Sequence, residues 1–349
     1  MSETENFNIY FAPMEGITGY VFRNAHYQYY GKVSRYFTPF IAPNRSKKLT
    51  SREMNDILPE HNQGIKLIPQ ILTNRAEDFL WAAGKVRELG YDEVNLNLGC
   101  PSGTVVSKYR GAGFLAVPEE LDRFLETVSR ELEGMGMRFS VKTRIGKSSP
   151  EEFGELLRIF NQYPLARLII HPRVQTDFYR GQPDWEVFSE AVGHSRNPVC
   201  YNGDIFSVKD FCSFEERFPQ VKAIMLGRGL LQNPALAEDI CLKVWQEAKT
   251  KRQEPEERRL HKNEWVRLRH FHDAVLDGYK ESICGDRNVL FKMKELWTYL
   301  GMEFAGQERL LKRIKKAGRM EEYTEAVDRV FERMGLQSYY LLAAVFGAG

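Results

Sequence analysis

The sequence has few cysteines, no long apolar run and almost no net charge. Its 349 residues include five cysteines, an odd number without a C-x-x-C spacing, which argues against a disulfide framework and against a zinc site. No stretch approaches the roughly 20 apolar residues of a membrane-spanning helix, and the formal net charge is only +2. We therefore expect a cytoplasmic protein without a metal ion, without membrane contact and with no obligate protein partner evident.

The two ends of the sequence agree with this expectation. The first six residues are acidic and polar, unlike a secretory signal. Residues 336–349 form an apolar tail with its longest run around Tyr339–Phe346, which is too short to cross a bilayer. A docked tail and an oligomer contact both explain this segment.

Short β-like runs alternate with amphipathic helical stretches through the first two thirds of the chain. The predicted strands are Ile9–Met14, Val33–Ile41, Lys66–Leu72, Val94–Leu98, Arg138–Ile145, Ala166–His171, Pro198–Asn202 and Val221–Leu226. Eight strand–helix units in about 250 residues are typical of an α/β fold, the (β/α)8 TIM barrel. An open doubly wound sheet is the alternative.

The sequence after the barrel predicts a small all-helical domain, because residues 260–335 contain helical patterns and no strand-like run. The charged segment Lys249–Arg259 is typical of a linker. The predicted division is thus a catalytic barrel (1–248), a helical domain (249–335) and the tail (336–349). One helix of that domain is predicted to carry basic residues at spacings of three and four, which is typical of a solvated face or of a phosphate-binding surface: Arg309, Lys312, Arg313, Lys315, Lys316 and Arg319.

A cysteine follows directly on the fourth predicted strand. Val94, Leu96 and Leu98 alternate with Asn95 and Asn97, and the pattern ends at Gly99-Cys100-Pro101. Proline has no N–H and a fixed φ, so it ends the strand and begins a turn. The sequence thus places a thiol at the carboxyl end of a strand, where it is either a buried structural cysteine or part of a site.

Polar residues also end nearly all of the remaining predicted strands. The active sites of TIM barrels lie at the carboxyl ends of the strands. The glycine turns after strands seven and eight have N–H groups that can face an anion. These strand-end residues are Pro13, Met14 and Glu15, Gln70, Lys142, Arg144, His171, Arg173, Asn202, Gly203 and Asp204, and Gly227 and Arg228.

Six motifs in chain order resemble the flavin-dependent tRNA-dihydrouridine synthases. They are Ala12–Gly16, Asn95–Ser102 with Gly111–Gly113, Val141–Arg144, Ile170–Arg173, Asn202–Asp204 and Leu226–Gly229. The helical segment Lys292–Leu300 is similar to the family's basic, aromatic helix. The chain departs from the family at Pro172, where members often have glycine, and at Arg110, in a usually small or amide-bearing position. Both departures lie near the expected substrate mouth.

The resemblance implies FMN as cofactor and NADPH or NADH as electron donor. By that resemblance Pro13, Met14 and Gln70 border the isoalloxazine, Lys142 lies near its N1–O2 edge and His171 completes the pocket. Asn202, Gly203, Gly227 and Arg228 hold the FMN phosphate. Arg144 and Arg173 are expected to bind RNA or cofactor phosphate, while Glu15 and Asp204 either border the cofactor or fix backbone turns.

The implied reaction is reduction of the C5–C6 double bond of uridine in tRNA, with hydride from FMN to C6 and a proton from Cys100 to C5. A thiol with an ordinary pKa is mostly protonated at pH 7 and can act as an acid. A nucleophilic Cys100 needs a nearby base, and none is evident in the local sequence. The Asn97 amide matches both a carbonyl and the N3–H of uracil. The pattern Gly111–Ala116 does not follow a strand directly, so it predicts a mobile loop and not a dinucleotide site.

Two other functions remain open at this point. One is an FMN-dependent oxidoreductase acting on free pyrimidines or small enones, and the other is a flavin-containing RNA-binding protein without turnover. The helical domain favours RNA, with the basic residues on phosphate and with Trp297 and Tyr299 contributing shape, although a position in the bundle core is the more common one for both aromatics. The modified position and the oligomeric state do not follow from the sequence.

Overall fold

The computed structural model describes residues 7–249 and 262–334, and within them nine short parallel strands form one sheet. Most strand residues are buried, which suits a sheet covered on both faces. The strands are β1 Asn8–Phe11, β2 Arg35–Phe37, β3 Leu67–Ile68, β4 Gln70–Ile71, β5 Glu93–Leu98, β6 Arg138–Arg144, β7 Arg167–His171, β8 Val199–Tyr201 and β9 Ala223–Leu226.

The sheet closes on itself at Pro69. Its strand order is β3-β2-β1-β9-β8-β7-β6-β5-β4, so the two ends of the order are β3 and β4, which only Pro69 separates. Pro69 lacks an N–H but still accepts a hydrogen bond from the Asn95 backbone (2.9 Å). The predicted eight-stranded barrel is therefore confirmed, with its third strand interrupted by proline, and the open-sheet alternative is wrong.

Helices follow the strands as the sequence predicts. In the long helix that begins at Pro118, the buried residues Leu121, Leu125, Val128 and Leu132 recur at helical spacing, and the proline occupies the first turn. The helices are α1 Tyr20–Tyr29, α2 Ser51–Ile57, α3 Ala76–Glu88, α4 Gly103–Val106, α5 Pro118–Gly134, α6 Phe153–Phe160, α7 Trp185–His194, α8 Val208–Arg217, α9 Arg228–Gln232, α10 Leu236–Lys249, α11 Lys262–Ser282, α12 Asp286–Leu300, α13 Glu308–Lys316 and α14 Met320–Arg333.

The barrel interior is layered. An apolar cluster fills its centre and consists of Tyr10, Ala12, Phe37, Ile68, Ile169, Cys200 and Met225. Below it, near the amino ends of the strands, Arg167 pairs with the buried carboxylate of Glu93. Polar side chains gather above it, at the carboxyl ends. The apolar layer thus separates a structural ion pair from the end of the barrel that carries the site.

The chain divides into two compact units, and the second is not continuous in sequence. The first contains the residues up to Tyr20 and Lys32–Gly227, and the second contains Val21–Gly31 together with the residues from Arg228 onward. Within the second unit, the Phe22 ring meets the Phe271 ring edge-on with 5.6 Å between centroids. Helix α1 therefore belongs to the helical unit although it follows the first strand of the barrel.

Trp297, which would have to be exposed to contact RNA, lies in the core of the helical unit. Trp297 is 1% exposed, and its indole N–H donates to the Tyr323 hydroxyl (2.8 Å). That hydroxyl also lies 2.7 Å from His272 Nε2. The interpretation of Trp297 as an RNA contact is wrong, and its alternative, a residue of the bundle core, is confirmed, because the ring is buried and its N–H is bonded inside the unit. Tyr299 is half-buried.

Basic residues line one exposed face of α13. Arg309, Lys312, Lys315 and Lys316 are exposed, whereas Leu310 and Ile314 are buried on the opposite side. The placement of Arg319 on the same helix is wrong, because α13 ends at Lys316 and Arg319 directly precedes α14. The predicted division at 248 and 335 stays a prediction, since its linker and its tail fall in 250–261 and 335–349, outside the described residues. No helix in the described part is both long and apolar enough to cross a membrane.

Candidate active site

The turn after β5 is organised by the side chain of Asn97. Its Oδ1 accepts hydrogen bonds from the backbone N–H groups of Gly99 (3.0 Å) and Cys100 (2.9 Å). Such an Asx-type turn ends the strand within two residues and aims the next side chain away from the sheet. Cys100, half-buried, thus occupies the carboxyl end of the strand as predicted.

A chain of buried amides fixes Asn97 in turn. Asn97 Nδ2 donates to Gln70 Oε1 (2.6 Å), Gln70 Nε2 donates to Asn95 Oδ1 (2.7 Å), and Asn95 Nδ2 donates to Ser140 Oγ (3.0 Å). Gln70, Asn95 and Ser140 are fully buried. Because every link has one donor and one acceptor, the orientation of each amide is determined by its neighbours.

Lys142 projects from β6 on the same side as Ser140, two residues earlier, and is half-buried. Its ammonium makes no hydrogen bond or ion pair with any residue that the structure describes. A Cβ placed on Gly99 would lie 3.8 Å from Lys142 Nζ, so the cation adjoins the backbone next to Cys100. Burial, together with the charge of Arg144, lowers the pKa of Lys142 to about 8.

The Cys100 thiol remains protonated at neutral pH. Burial raises its pKa above the ordinary value for cysteine; the Ser102 backbone N–H and the cations Arg144 and Lys142 oppose this shift, and Glu15 adds to it. Desolvation disfavours the thiolate, so this environment makes an acid and not a pre-formed nucleophile. The site therefore combines a proton-bearing thiol with a cation that lacks a partner among the described residues.

Arg144 binds the loops together. It is 1% exposed and donates to the carbonyls of Gly99 (3.0 Å), Val174 (2.7 Å) and Phe178 (2.6 Å). Burial lowers the pKa of Arg144 to about 10, so it is still charged at pH 7. Three of its N–H groups are thereby committed to backbone carbonyls of the loops after β5 and β7.

Arg173, like Arg144, holds loops together, and it also forms an ion pair with Asp204. The guanidinium, 1% exposed, pairs with both carboxylate oxygens of Asp204 and donates to the carbonyls of Arg180 (3.1 Å) and Gly181 (2.7 Å). Its Nη1 also lies 3.2 Å from His171 Nε2. Guanidinium nitrogens only donate, so this ring nitrogen is the acceptor and the neutral ring carries its proton on Nδ1.

The turn after β1 carries Pro13 and Met14, both half-buried, and an exposed Glu15. Met14 is held at both backbone groups by Thr18: its N–H donates to Thr18 Oγ1 (2.8 Å) and its carbonyl accepts from the Thr18 backbone N–H (3.0 Å). Glu15 pairs with the exposed Arg52. The structure thus brings Pro13 and Met14 to the strand ends, and the Glu15 carboxylate pairs on the surface.

The turns after β8 and β9 have the glycines that the sequence indicated. Asn202 Nδ2 donates to the Met225 carbonyl (2.8 Å) and ties the turn after β8 to strand β9. A Cβ on Gly203 would lie 1.9 Å from the Tyr201 hydroxyl, and one on Gly227 would lie 3.3 Å from Ala12 Cβ. Arg228 opens helix α9 directly after Gly227.

Two features near Cys100 do not follow from the sequence: the buried turn at Gly111–Ala116 and the position of Tyr179. The predicted mobile loop is a turn of 3-10 helix, Gly111–Ala116, whose first five residues are buried; a Cβ on Gly111 would lie 2.9 Å from the Cys100 carbonyl oxygen, so glycine there permits close packing. Tyr179, which the sequence did not single out, lies over the Arg144 guanidinium (5.7 Å) and near the His171 ring (6.2 Å). Among the described residues no cluster of His, Cys, Asp and Glu has the arrangement of a metal site.

Comparison with known proteins gives consistent matches. Residues 10–327 match the family profile described as dihydrouridine synthase. The chain is 29% identical over 236 residues to a tRNA-dihydrouridine(16) synthase of Pseudomonas putida, a match that covers 66% of this chain and 72% of the relative. Similar solved structures include morphinone reductase in complex with tetrahydroNAD (TM-score 0.47, 12% identity, 71% of this chain and 88% of that one). A histamine dehydrogenase from Rhizobium sp. 4-9 has a TM-score of 0.49 at 12% identity, over 69% of this chain and 46% of that one.

Proposed function

Because the chain belongs to the dihydrouridine synthase family, an oxidoreductase family, we propose that it reduces the C5–C6 double bond of uridine in tRNA. FMN is the proposed cofactor, and NADPH or NADH is the proposed electron donor. The observation that carries the proposal is the position of the half-buried Lys142 ammonium beside Gly99, the residue that directly precedes the half-buried Cys100 thiol at the strand ends. The Pseudomonas putida relative, which is named for tRNA, supports the choice of substrate.

The residues at the strand ends fit FMN. A half-buried ammonium without a partner among the described residues is unfavourable unless a ligand supplies negative charge, and Lys142 is such a group. Glycine turns after β8 and β9 offer backbone N–H groups suited to a phosphate. The residues that would hold FMN are Pro13, Met14, Gln70, Lys142, His171, Asn202, Gly203, Gly227 and Arg228. When bound and reduced, FMN supplies the hydride that adds to C6 of uracil.

Cys100 supplies the proton in this proposal. Addition of hydride at C6 leaves the electron pair of the former double bond on C5 and O4 of the uracil. The S–H bond of Cys100 breaks as a C5–H bond forms, and the resulting thiolate regains a proton from water. Because burial keeps the thiol protonated at neutral pH, the acid is present in its active form before the substrate arrives.

Asn97 can contact uracil in only one of the two ways that its amide allows. Its oxygen already accepts two backbone N–H groups, and one of its two amide protons is committed to Gln70. The second amide proton is left for a uracil carbonyl. We therefore propose that Asn97 donates to the base and that another group accepts from N3–H.

Arg144 and Arg173 support the site by positioning its loops. Each guanidinium is 1% exposed and commits N–H groups to backbone carbonyls, and Arg173 also pairs with Asp204. At this exposure neither guanidinium is open to a phosphate from solvent, and every N–H group of Arg173 is already committed. We therefore propose that both arginines and Asp204 hold the loops around the pocket, and that phosphate contacts come from exposed cations, including the basic face of α13.

The test is direct. The purified protein should show flavin absorption, release FMN on heating, and form dihydrouridine in an unmodified tRNA transcript when NADPH is supplied, as detected by mass spectrometry of the digested RNA. Free uridine is the comparison substrate. A colourless protein that FMN cannot reconstitute contradicts the proposal. Equal turnover of free uridine and tRNA would instead favour a free-pyrimidine reductase.

A further inference from the structure

Two exposed aromatic residues adopt a backbone conformation that side chains rarely take. Tyr109 has φ 52° and Phe178 has φ 53°, in the left-handed region where a Cβ is unfavourable. Their exposed fractions are 51% and 43%, so burial of the rings does not offset the unfavourable backbone. Strained residues of this kind concentrate at ligand-binding sites.

The loop of Phe178 is fastened to the loop of Cys100. The Phe178 carbonyl accepts from Arg144 Nη2, and the Nε of the same guanidinium donates to the Gly99 carbonyl. Gln175, which is also buried, donates from Nε2 to the Pro101 carbonyl (3.1 Å). Two buried side chains therefore hold Phe178 in a fixed relation to the residues on either side of Cys100.

Tyr109 precedes a segment that packs directly on Cys100. The Ala112 N–H donates to the Cys100 carbonyl (3.1 Å), and the Gly111 backbone leaves no room for a Cβ against that carbonyl. Tyr109 lies two residues before Gly111. Both aromatics are thus attached to the immediate surroundings of the thiol.

Cations accompany both rings. Lys108 and Arg110 flank Tyr109, and Arg180 follows Phe178 by two residues; none of the three forms an ion pair within the described ranges 7–249 and 262–334. The carboxylate closest in sequence to Phe178, Asp177, accepts the Val174 N–H. Exposed aromatics interleaved with such cations are the composition of surfaces that bind single-stranded nucleic acid.

We propose that Tyr109 and Phe178 stack on the bases that flank the target uridine, and that Lys108, Arg110 and Arg180 contact the phosphates between them. This inference rests on the proposed function, because the flanking bases lose a stacking partner when the uridine leaves the stack to reach Cys100. Stacking on an aromatic ring tolerates any base. The two rings therefore contribute affinity for an unstacked strand and do not select the flanking sequence.

Glycine variants separate binding from folding. Tyr109→Gly and Phe178→Gly remove the ring and suit the positive φ, so the melting temperature should not fall. Affinity for an unmodified tRNA transcript should weaken on the order of 5- to 100-fold per ring, the range for loss of one base–aromatic stack. Tyr109→Asn, a residue type that also tolerates positive φ, should behave like Tyr109→Gly. Tyr27→Ala, which removes a ring of similar exposure (48%) on α1, is the matched control and should leave affinity unchanged.

A double-mutant cycle between protein and RNA gives the decisive result. Once the target position has been mapped with the wild-type protein, transcripts are prepared with an abasic nucleotide on either side of it. Removal of a stacked base should weaken binding to the wild type but have little further effect on the glycine variants. Additive losses overturn the inference. A wild-type protein that forms no dihydrouridine contradicts the proposed function instead, so the two failures are distinguishable.

Discussion

The side-chain oxygen of Asn97 accepts the backbone N–H of Cys100 over 2.9 Å. This bond determines where the thiol stands, because the backbone of Cys100 has turned away from its strand at that point. Asn97 is oriented by Gln70, and Gln70 by Asn95. The position of the proposed acid is thus determined from within the barrel.

Replacement of the thiol should affect one step only. Cys100→Ala should leave FMN bound and still reducible by NADPH, since neither event requires a proton at C5. Dihydrouridine formation should fall about 10²- to 10⁴-fold, the usual contribution of a general acid. Reoxidation of pre-reduced enzyme by tRNA, followed at the flavin band, measures this step. Cys284→Ala, which removes an exposed thiol, is the control; a wild-type rate in Cys100→Ala would show that Cys100 is not the acid.

The charge of Lys142 should give the flavin step a pH dependence. Its pKa is lowered to about 8 in the FMN-free protein, and the negative charge of bound FMN raises it. The cation therefore predominates below pH 8 and is lost as the pH rises above that range. The rate of FMN reduction by NADPH should therefore be level below pH 8 and fall above it. Lys142→Arg, which stays charged, should remove the fall, and Lys142→Ala should be slow at every pH. Lys66→Ala, at the opposite end of the barrel, should match wild type; a pH-independent wild-type rate would contradict this role.

The buried amide chain should contribute to stability. In Asn95→Leu the Gln70 amide loses its acceptor in a dry interior, and a buried polar group left without a partner costs roughly 1–3 kcal/mol. Urea denaturation of the FMN-free protein measures the loss in the free energy of unfolding. Asn74→Leu, which removes an amide from a solvent-exposed hydrogen bond, should change it far less. Equal effects of the two substitutions would mean that the chain has no special energetic role.

Removal of only one partner of the Arg173–Asp204 pair should lower the free energy of unfolding. Asp204→Ala leaves a guanidinium that is 1% exposed without its carboxylate. The expected loss is about 3 kcal/mol, at the lower end for broken buried pairs because Asp204 keeps some contact with solvent. The double variant Arg173→Met with Asp204→Ala should recover part of it. A double variant less stable than Asp204→Ala would argue that the remaining carbonyl contacts of Arg173 outweigh the unpaired charge.

The basic face of α13 should bind tRNA through phosphate. Reversal of Lys312, Lys315 and Lys316 on α13, and of the exposed Arg319 that precedes α14, to glutamate should weaken binding and flatten its salt dependence. The reason is that counterion release follows the number of phosphates neutralised. NADPH oxidation without tRNA should not change. The control reverses four exposed arginines on barrel helices, which changes the net charge equally: Arg87, Arg123, Arg130 and Arg158. If tRNA affinity depended on salt concentration in the same way in the two variants, the basic residues would be merely solvated and would not contact phosphate.

Much of the barrel could be predicted because its strands are short, buried and regularly spaced. The alternation at Val94–Leu98 identified β5, and the residues after each strand identified the end of the barrel where Cys100 and Lys142 lie. The sequence predicts the third strand as one run, Lys66–Leu72, and reveals neither its break at Pro69 nor the closure of the barrel there.

The contacts of the charged groups could not be predicted, because they depend on loops that meet only in three dimensions. Arg144 and Arg173 have the composition of phosphate ligands, yet their N–H groups are directed to carbonyls contributed by other segments. Trp297 illustrates the same limit within a helix: periodicity reveals two faces but not which of them a neighbouring helix covers. Tyr179 escaped notice because it lies in an irregular loop without any pattern.

The membership of α1 in the helical unit has a consequence for biosynthesis. The Tyr29 carbonyl accepts from Arg267, 238 residues later in the chain, and the His26 ring contacts the Pro234 carbonyl, 208 residues later. During vectorial synthesis on the ribosome, α1 emerges long before the residues that cover it. Its apolar face therefore stays uncovered in the nascent chain until those residues have been synthesised. An expressed fragment that starts at Arg228 would lack this helix, and exchange of the helical unit between relatives would require two segments to be transplanted together.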